Sequence, residues 1–297
     1  ADNAQLAIVY ARAARVFNRP DYLEVAHGTL DFMLEALRSP DGGYYTATSA
    51  LDRRGREGGA YLWLPEELRR LLTPEEYLRA SRAWGLDKPA AFDLGHLPME
   101  QGEPGAAERR ALLPILAKIK AAGRGRSTPV DTKVNAGLNG LALSALVEAG
   151  RGVPRFEQAA RALRGYIEKR LWIQGRLAKT RAGQRVFLDA ELDDYAHLAA
   201  GLEGYARAHR DPSAARLAGN LARQAWGRFF TPAGWRREEQ PLLATLHPQP
   251  ALDDGALPSA SARLMASTRQ LLATRPDPEL DEQLARALAL AVPVMAR

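Results

Sequence analysis

The fold is decided by residues 139–171, "NGLALSALVEAGRGVPRFEQAARALRGYIEKRL". The stretch starts with a nearly all-apolar helical run, turns at Pro154 and continues as a run with apolar and charged residues interleaved at helical spacing. A helix that is apolar on every side must be buried on most sides, whereas an amphipathic helix covers a core with one face. These residues therefore predict a helical hairpin with a buried inner helix and an amphipathic outer helix.

Three other segments repeat this order of inner run, turn and outer run, at residues 3–37, 194–230 and 259–295. A proline stands at each of the four turns: Pro20, Pro154, Pro212 and Pro278. Proline suits the first turn of a helix, because the N–H that it lacks would have no helical partner there. Self-similarity of this kind is typical of repeat architectures. We therefore predict an all-α protein, an (α/α)6-type toroid in which an inner ring of helices is covered by an outer ring.

The middle of the chain is less regular. Residues 66–72, 74–84 and 106–122 predict helices, and residues 85–105 predict a long loop. Together with the four hairpins, this region gives about five hairpins, so part of the first hairpin of a ring of six is expected to be missing. Because no segment has the composition of an inter-domain linker, we predict a single toroid domain over residues 1–297.

Loops rich in glycine and aromatic residues follow the outer helical runs. Residues 176–180 and 185–188 in one of these loops predict short strands that form a β-ribbon. Each loop leads directly into the next inner helix, so the loops and the N-termini of the inner helices should share one end of the toroid.

Composition restricts the classes of partner. The net charge is +6 and the pI is near 9.7, a balance that can indicate nucleic-acid binding. The arginines, however, are scattered at helical spacing, so we expect no nucleic-acid partner. The chain has no cysteine, no apolar run of about 18 residues and no recognisable signal peptide. We therefore expect no membrane partner and a cytoplasmic location.

Polar residues cluster where the inner helices begin. The four starts read "ADNAQ" from Ala1, "VDTKVNAGLNG" from Val130, "LDAELDDYAH" from Leu188 and "LDDGALPSAS" from Leu252. One interpretation is helix capping, which satisfies the free N–H groups of the first turn. The other is a polar basin at the mouth of the toroid, because capping needs one residue per helix and each start has two or more. Helix N-termini favour anions and hydroxyl-rich ligands in such a basin.

The candidate catalytic residues are three carboxylates and a histidine. Asp193 and Asp194 are adjacent acids, and partial burial would keep one of them protonated as a general acid. Asp254 follows the same pattern beside Asp253. His197 lies one turn into an inner helix, where it could exchange protons near neutral pH. The alternative for the acids is a helix cap plus an ion pair, and for His197 a buried core residue.

The candidate ligand-binding residues are the remaining polar and aromatic side chains at the predicted mouth: Asp2, Asn3, Asp131, Lys133, Asn139, Tyr195, Trp63, His247, Asp253 and Ser259. Aromatic rings suit the apolar faces of sugars, although Trp63 could instead fasten its loop to the toroid. Lys133 could instead form a structural ion pair with Asp131 or with an aspartate of the next hairpin. The sequence contains no nucleotide-binding or hydrolase motif and no metal-ligand pattern, so we expect neither a cofactor nor a metal.

Several of these motifs, in this order, resemble the spermatogenesis-associated, thioredoxin-domain-containing protein family. They include "DNAQLA" from Asp2, "DGGYYTA" from Asp41, "EGGAYLWLPEEL" from Glu57, "VDTKVNAGLNGLALSALVEAG" from Val130 and "LDDYAHLAAGLEGY" from Leu192. The resemblance implies a toroid similar to those of six-hairpin glycosidases and N-acylglucosamine 2-epimerases. It also implies a thioredoxin-like domain as a partner of the toroid. Leu138, Leu257 and Ser261 stand where that family usually has other residues.

Two functional hypotheses follow. In the first, the toroid binds a sugar-like small molecule at the inner-helix N-termini and carries out epimerase, isomerase or glycosidase chemistry. In the second, the substitutions at the mouth have removed catalysis, and the toroid is an interaction module that works with a thioredoxin-like domain. The sequence leaves open whether the protein is an enzyme.

Overall fold

The described part of the chain contains eleven α-helices, which follow the apolar and amphipathic runs of the sequence. The computed structural model describes residues 1–102, 105–126, 128–239 and 253–295. In chain order the helices are α1 (Asp2–Val16), α2 (Pro20–Phe32), α3 (Pro65–Leu71), α4 (Pro74–Trp84), α5 (Ala106–Gly123), α6 (Ala136–Ala149), α7 (Pro154–Tyr166), α8 (Leu192–His209), α9 (Pro212–Phe229), α10 (Ala260–Thr274) and α11 (Pro278–Met295). The predicted helices, including the three in the middle of the chain, are confirmed.

The chain divides into two compact units. Unit 1 comprises Ala1–Ala47 and Thr132–Arg297, and unit 2 comprises Thr48–Asp131. Unit 1 contains the four predicted hairpins, α1–α2, α6–α7, α8–α9 and α10–α11, while unit 2 contains α3, α4 and α5. Whether residues 1–297 form a single domain stays a prediction.

The inner helices of unit 1 pack side by side. Helix α6 contacts α1 on one flank and α8 on the other, and α8 in turn contacts α10. Each outer helix begins with its predicted proline and packs against the inner helix that precedes it. The buried face of α6 includes Leu141, Leu143 and Leu146, none of them more than 2% exposed. This inner-and-outer arrangement confirms the predicted α/α toroid class.

Two glycines set the spacing between α6 and α8. A Cβ at Gly140 would lie 2.4 Å from the backbone carbonyl of His197, and a Cβ at Gly201 would lie 2.4 Å from the carbonyl oxygen of Gly140. Real side chains cannot approach backbone atoms so closely, so only glycine permits this contact. The two helices therefore meet backbone to backbone.

Short strands form the loops between hairpins. They are β1 (Ala47–Thr48), β2 (Val130–Asp131), β3 (Val134–Asn135), β4 (Trp172–Ile173), β5 (Arg176–Leu177), β6 (Thr180–Ala182), β7 (Arg185–Phe187), β8 (Phe230–Thr231) and β9 (Gly234–Trp235). Strands β4 and β5 form one antiparallel ribbon, and β8 and β9 form another. Strand β6 lies between β3 and β7 in a three-stranded sheet, in which Thr180 pairs with both Asn135 and Phe187.

The strand predicted at residues 176–180 is in fact two strands. The chain changes partners at Ala178, whose N–H donates to Leu171, and at Lys179, whose N–H donates to Phe187. The carbonyl of Lys179 accepts from the N–H of Ala136, the first residue of α6. The change of partner therefore fixes Lys179 beside the start of an inner helix.

Unit 2 has its own apolar cluster. Trp63, Leu68, Trp84, Leu112 and Ile115 are all buried in it, around α3, α4 and α5. Among the residues that the structure describes, no helix of either unit combines the length and hydropathy needed to cross a membrane.

Candidate functional site

A cavity of about 530 Å³ opens in unit 1 where α6, α8 and α10 begin. Its wall is formed by the first residues of these helices, by the sheet that contains β3 and β6, and by the segment that precedes α10. Five of the predicted site residues line it: Lys133, Asp193, Asp194, Asp253 and Ser259. The starts of three inner helices therefore share one cavity with polar and apolar residues on its wall, and α1 contributes none of its lining residues.

Asp194 joins two helix starts. Its Oδ1 accepts hydrogen bonds from the N–H of Gly137 and from the Nδ2 of Asn135, both at 3.1 Å, at the start of α6. Its Oδ2 accepts from the N–H of Glu191 at 3.1 Å, just before α8. The side chain is only 4% exposed, and this burial raises its pKa to about 6 in spite of the three donors. Asp194 is thus a capping residue that also lines the cavity.

Asp193 is bonded differently from its neighbour. It is half-buried, and among the described residues no other side chain donates a hydrogen bond to its carboxylate. Burial raises its pKa, while the charge of Arg237 acts in the opposite direction. A carboxylate with a raised pKa on a cavity wall can exchange protons with a bound molecule. Asp193 thus combines a place on the cavity wall with a raised pKa and with no side-chain donor among the described residues.

Lys179 and Glu191 form an ion pair on the cavity wall that the sequence analysis missed. Burial lowers the pKa of Lys179, but the hydrogen bond to Glu191 and the negative charges of Glu191, Asp194 and Asp189 together outweigh burial, and the pKa is raised overall. Lys179 keeps its charge at neutral pH and adds a cation beside the two aspartates. Lys179 lies in the segment 176–180, which the sequence predicts to be part of a ribbon at the mouth, and this placement could have identified it as a site residue.

Further lining residues were also not among the predicted site residues. They are polar or cationic: Thr46, Asn135, Thr180 and Arg237. Asn135 accepts from the N–H of Leu138 at 2.9 Å and so caps α6. The wall also contains apolar residues from α6 and from the segment before α10, namely Leu138, Ala256, Leu257 and Pro258. The cavity thus combines both charges, hydroxyl groups and an apolar surface.

Three predicted site residues form hydrogen bonds that hold helices and loops in place. Asn139 is fully buried, donates to the carbonyls of Tyr44 and Asn135, and accepts from the N–H of Tyr44. Asp254 accepts from the N–H of Ser259 at 2.7 Å, which holds the start of α10. Tyr195 is 1% exposed and donates its hydroxyl to Gln224. None of the three belongs to the cavity wall.

His197 lies inside the helix packing. It is fully buried on α8, and neither ring nitrogen has a hydrogen-bond partner among the described residues. Burial lowers its pKa to about 4, so the ring is neutral at neutral pH. His197 is not among the residues of the cavity wall, and the predicted proton exchange would have to take place at that wall.

The other predicted residues are spread over the chain. Asp2 and Asn3 open α1 outside the cavity lining. Asp131 and Trp63 belong to unit 2, where the ring of Trp63 is buried and lies 3.7 Å from the guanidinium of Arg126. His247 lies outside the described residues. Within the described ranges, no group of three or more acidic or histidine side chains is placed to hold a metal ion.

Solved structures that are similar to this chain include D-mannose isomerase and cellobiose 2-epimerase. The chain superimposes on D-mannose isomerase with a TM-score of 0.49 and 12% identity, covering 97% of this chain and 73% of that one. It superimposes on cellobiose 2-epimerase from Bacillus thermoamylovorans B4167 with a TM-score of 0.40 and 12% identity, covering 97% and 74%. No protein-family model matches the chain.

The sequence matches have a more limited extent. A segment of 85 residues is 35% identical to spermatogenesis-associated protein 20 of Homo sapiens, covering 27% of this chain and 11% of that protein. The Mus musculus protein of the same name is 36% identical over 85 residues. The chain therefore spans about a tenth of the length of the curated relatives that it matches. The thioredoxin-like domain stays a prediction, but the resemblance to the spermatogenesis-associated family inferred from the motifs is confirmed.

Proposed function

We propose that unit 1 binds a sugar-like small molecule in the cavity at the starts of α6, α8 and α10. The observation that carries the proposal is the pair Asp193–Asp194 on the wall of a 530 Å³ cavity, with the pKa of both carboxyls raised by burial. A cavity of this volume is in the range of small-molecule sites. Perturbed carboxyls in such a cavity are typical of acid–base sites.

The surroundings of the pair favour a polyhydroxylated ligand. The wall carries both donors and acceptors: the charges of Lys179 and Arg237 act on Asp193, and the hydroxyl-bearing Ser259 lies at the start of α10. Leu138 and Leu257 supply apolar surface for the C–H faces of a sugar ring. Proton transfer by Asp193 to or from a bound sugar would serve isomerase, epimerase or glycosidase chemistry.

The test is a titration of the full chain with a panel of neutral sugars, including glucose, mannose, galactose and cellobiose, by calorimetry. We expect saturable binding of at least one sugar, and a loss of affinity of at least about tenfold in Asp193→Asn, equivalent to about 1.4 kcal/mol. Asp281→Asn is the matched control, because Asp281 is exposed on α11 and makes the same change of charge. Conversion of the bound sugar, followed by NMR, would show whether the site is catalytic.

The second candidate function is an interaction module that works with a thioredoxin-like domain. It is favoured by the use of Asn139 and Asp254 in structural hydrogen bonds and by the buried position of His197. In this case no sugar of the panel would bind at tens of millimolar, and a purified thioredoxin-like domain would bind unit 1. The state of Asp193 argues against this candidate, since its carboxylate caps no helix and forms no ion pair within 4 Å in the described part of the chain.

A further inference from the structure

A second cavity, of about 410 Å³, lies within unit 2 and has a different chemistry. Two arginine-rich turns that are some seventy positions apart in the sequence meet there, residues 52–56 ("DRRGR") and residues 123–126 ("GRGR"). Four arginines line the cavity, Arg53, Arg54, Arg56 and Arg126, against the two carboxylates Asp52 and Glu67. The lining thus has a formal excess of two positive charges.

The first turn is held in shape by Asp52. Its Oδ1 accepts from the backbone N–H groups of Arg54 and Arg56 at 2.8 and 2.9 Å, and its Oδ2 accepts from the side chain of Arg56 at 2.9 Å. The N–H of Gly55 donates to the carbonyl of Asp52, and Gly55 has a φ of +74° that only glycine adopts readily. The backbone of this arginine-rich turn is thus already ordered, so a ligand would have to order the exposed arginine side chains but not the turn itself.

Arg126 is fixed on the opposite wall. Its guanidinium donates to the carbonyl of Leu62 at 2.8 Å and to Glu67 at 2.7 Å, and lies 3.7 Å from the ring centre of Trp63. Arg53 and Arg54, in contrast, are exposed and have no side-chain partner among the described residues. These two guanidinium groups are available to a ligand.

We propose that this cavity of unit 2 binds a phosphate monoester. Guanidinium groups match phosphate oxygens in a bidentate geometry, and Arg is the side chain most suited to this recognition. A phosphate monoester has a charge of about −1.5 to −2 at neutral pH, which balances the excess of two positive charges in the lining. Leu62, Leu64 and Leu94 on the same wall provide an apolar surface for the organic part of the ligand.

The test uses inorganic phosphate as the probe, titrated into the full chain by calorimetry at constant ionic strength set with sodium chloride. We expect saturable binding, weakened at least tenfold in the double variant Arg53→Gln/Arg54→Gln. Neither arginine side chain has a partner in the described ranges, and the backbone bond from Arg54 to Asp52 survives the substitution. This variant should therefore fold as the parent does, which circular dichroism and thermal unfolding would verify. The matched control is Arg70→Gln/Arg82→Gln, two exposed arginines of α3 and α4 outside the cavity.

Three outcomes would overturn the proposal. One is the absence of saturable phosphate binding. Another is an equal loss of affinity in the control variant, which would show a general effect of surface charge. The third is binding of a single-stranded oligonucleotide, with a steep salt dependence and without any binding of phosphate, which would assign the surface to nucleic acid instead.

Discussion

At the scale of single residues, the environment of each aspartate at the helix starts determines what it does. Asp194 and Asp254 accept hydrogen bonds from the backbone N–H groups of other residues at 3.1 and 2.7 Å, whereas Asp193, one position before Asp194, lies on the cavity wall and receives no such bond from another described residue. The sequence analysis identified the acids but could not assign a different role to each of them. The role depends on which N–H groups of neighbouring helices each carboxylate contacts. The same limit applies to Asn139, whose partner Tyr44 is 95 positions away.

The raised pKa of Asp194 predicts a dependence of stability on pH. The folded state holds the proton up to about pH 6, whereas the unfolded chain releases it near the ordinary aspartate pKa of 3.8, so the folded state binds more protons between these values. The free energy of unfolding should therefore fall as pH rises from 3.8 to about 6, by up to roughly 3 kcal/mol in total. We expect urea unfolding from pH 4 to 7 to show this fall relative to Asp194→Asn, in which it is absent. If the difference in the free energy of unfolding between the parent and Asp194→Asn stays constant from pH 4 to 7, the raised pKa of Asp194 is contradicted.

Asn139 should be among the most sensitive polar positions. Replacement by alanine leaves the N–H and the carbonyl of Tyr44 without their partner in a buried site. We expect a loss of roughly 2–4 kcal/mol in the free energy of unfolding, because unsatisfied buried groups cost about 1–3 kcal/mol each. Ser267→Ala is the control, since Ser267 is buried and its hydroxyl donates to the carbonyl of Leu264 within its own helix. A loss no larger than that of the control would show that the Tyr44 loop is held by other contacts.

At the scale of elements, the hairpins follow from the sequence because their signals are local. Apolar periodicity separates inner from outer helices, and proline fixes the first turn of each outer helix. The strands were less predictable. The segment 176–180 splits because Lys179 bonds to Phe187 and, through its carbonyl, to Ala136, and neither contact has a local sequence signal. The outer helices α2 and α7 both end in a π-helical turn, Met33–Leu37 and Ile167–Leu171, which periodicity did not predict either.

The crossing of α6 and α8 should depend on its glycines. A Cβ at position 201 would meet the carbonyl oxygen of Gly140 at 2.4 Å, so the helices would have to separate in Gly201→Ala. We expect a loss of about 3 kcal/mol or more in the free energy of unfolding, at the upper end of the cost of overpacking. Gly204→Ala on the same helix is the control, because nothing lies within 4 Å of a Cβ there. That variant should gain up to about 1 kcal/mol from helix propensity, and similar effects at both positions would contradict this account.

At the scale of the whole molecule, unit 2 is inserted in the chain between two segments of unit 1. These two segments are hydrogen-bonded to each other. The N–H and the hydroxyl of Thr46 both donate to the carbonyl of Lys133, at 2.9 and 2.8 Å. The ends between which residues 48–131 are inserted therefore lie next to each other. Insertions between adjacent ends are the ones that domains tolerate best.

This geometry predicts that unit 1 folds without unit 2. A variant in which a short Gly-Ser linker replaces residues 48–131 should retain helical circular dichroism and a cooperative thermal transition. It should also retain the affinity for any sugar that the full chain binds, since all the residues of that cavity belong to unit 1. Loss of cooperative unfolding in the linker variant would show that unit 1 requires unit 2.

The central claim is that the cavity at the starts of α6, α8 and α10 is a binding site for a sugar-like ligand. The most direct measurement is a titration of isotope-labelled full chain with the sugar panel, read from backbone amide shifts. The account predicts saturable shifts concentrated at Gly137, Asp193 and Ser259, with the same sugar giving at least about tenfold weaker binding in Asp193→Asn. Shifts confined to other parts of the chain, or no shift with any sugar at tens of millimolar, would contradict it.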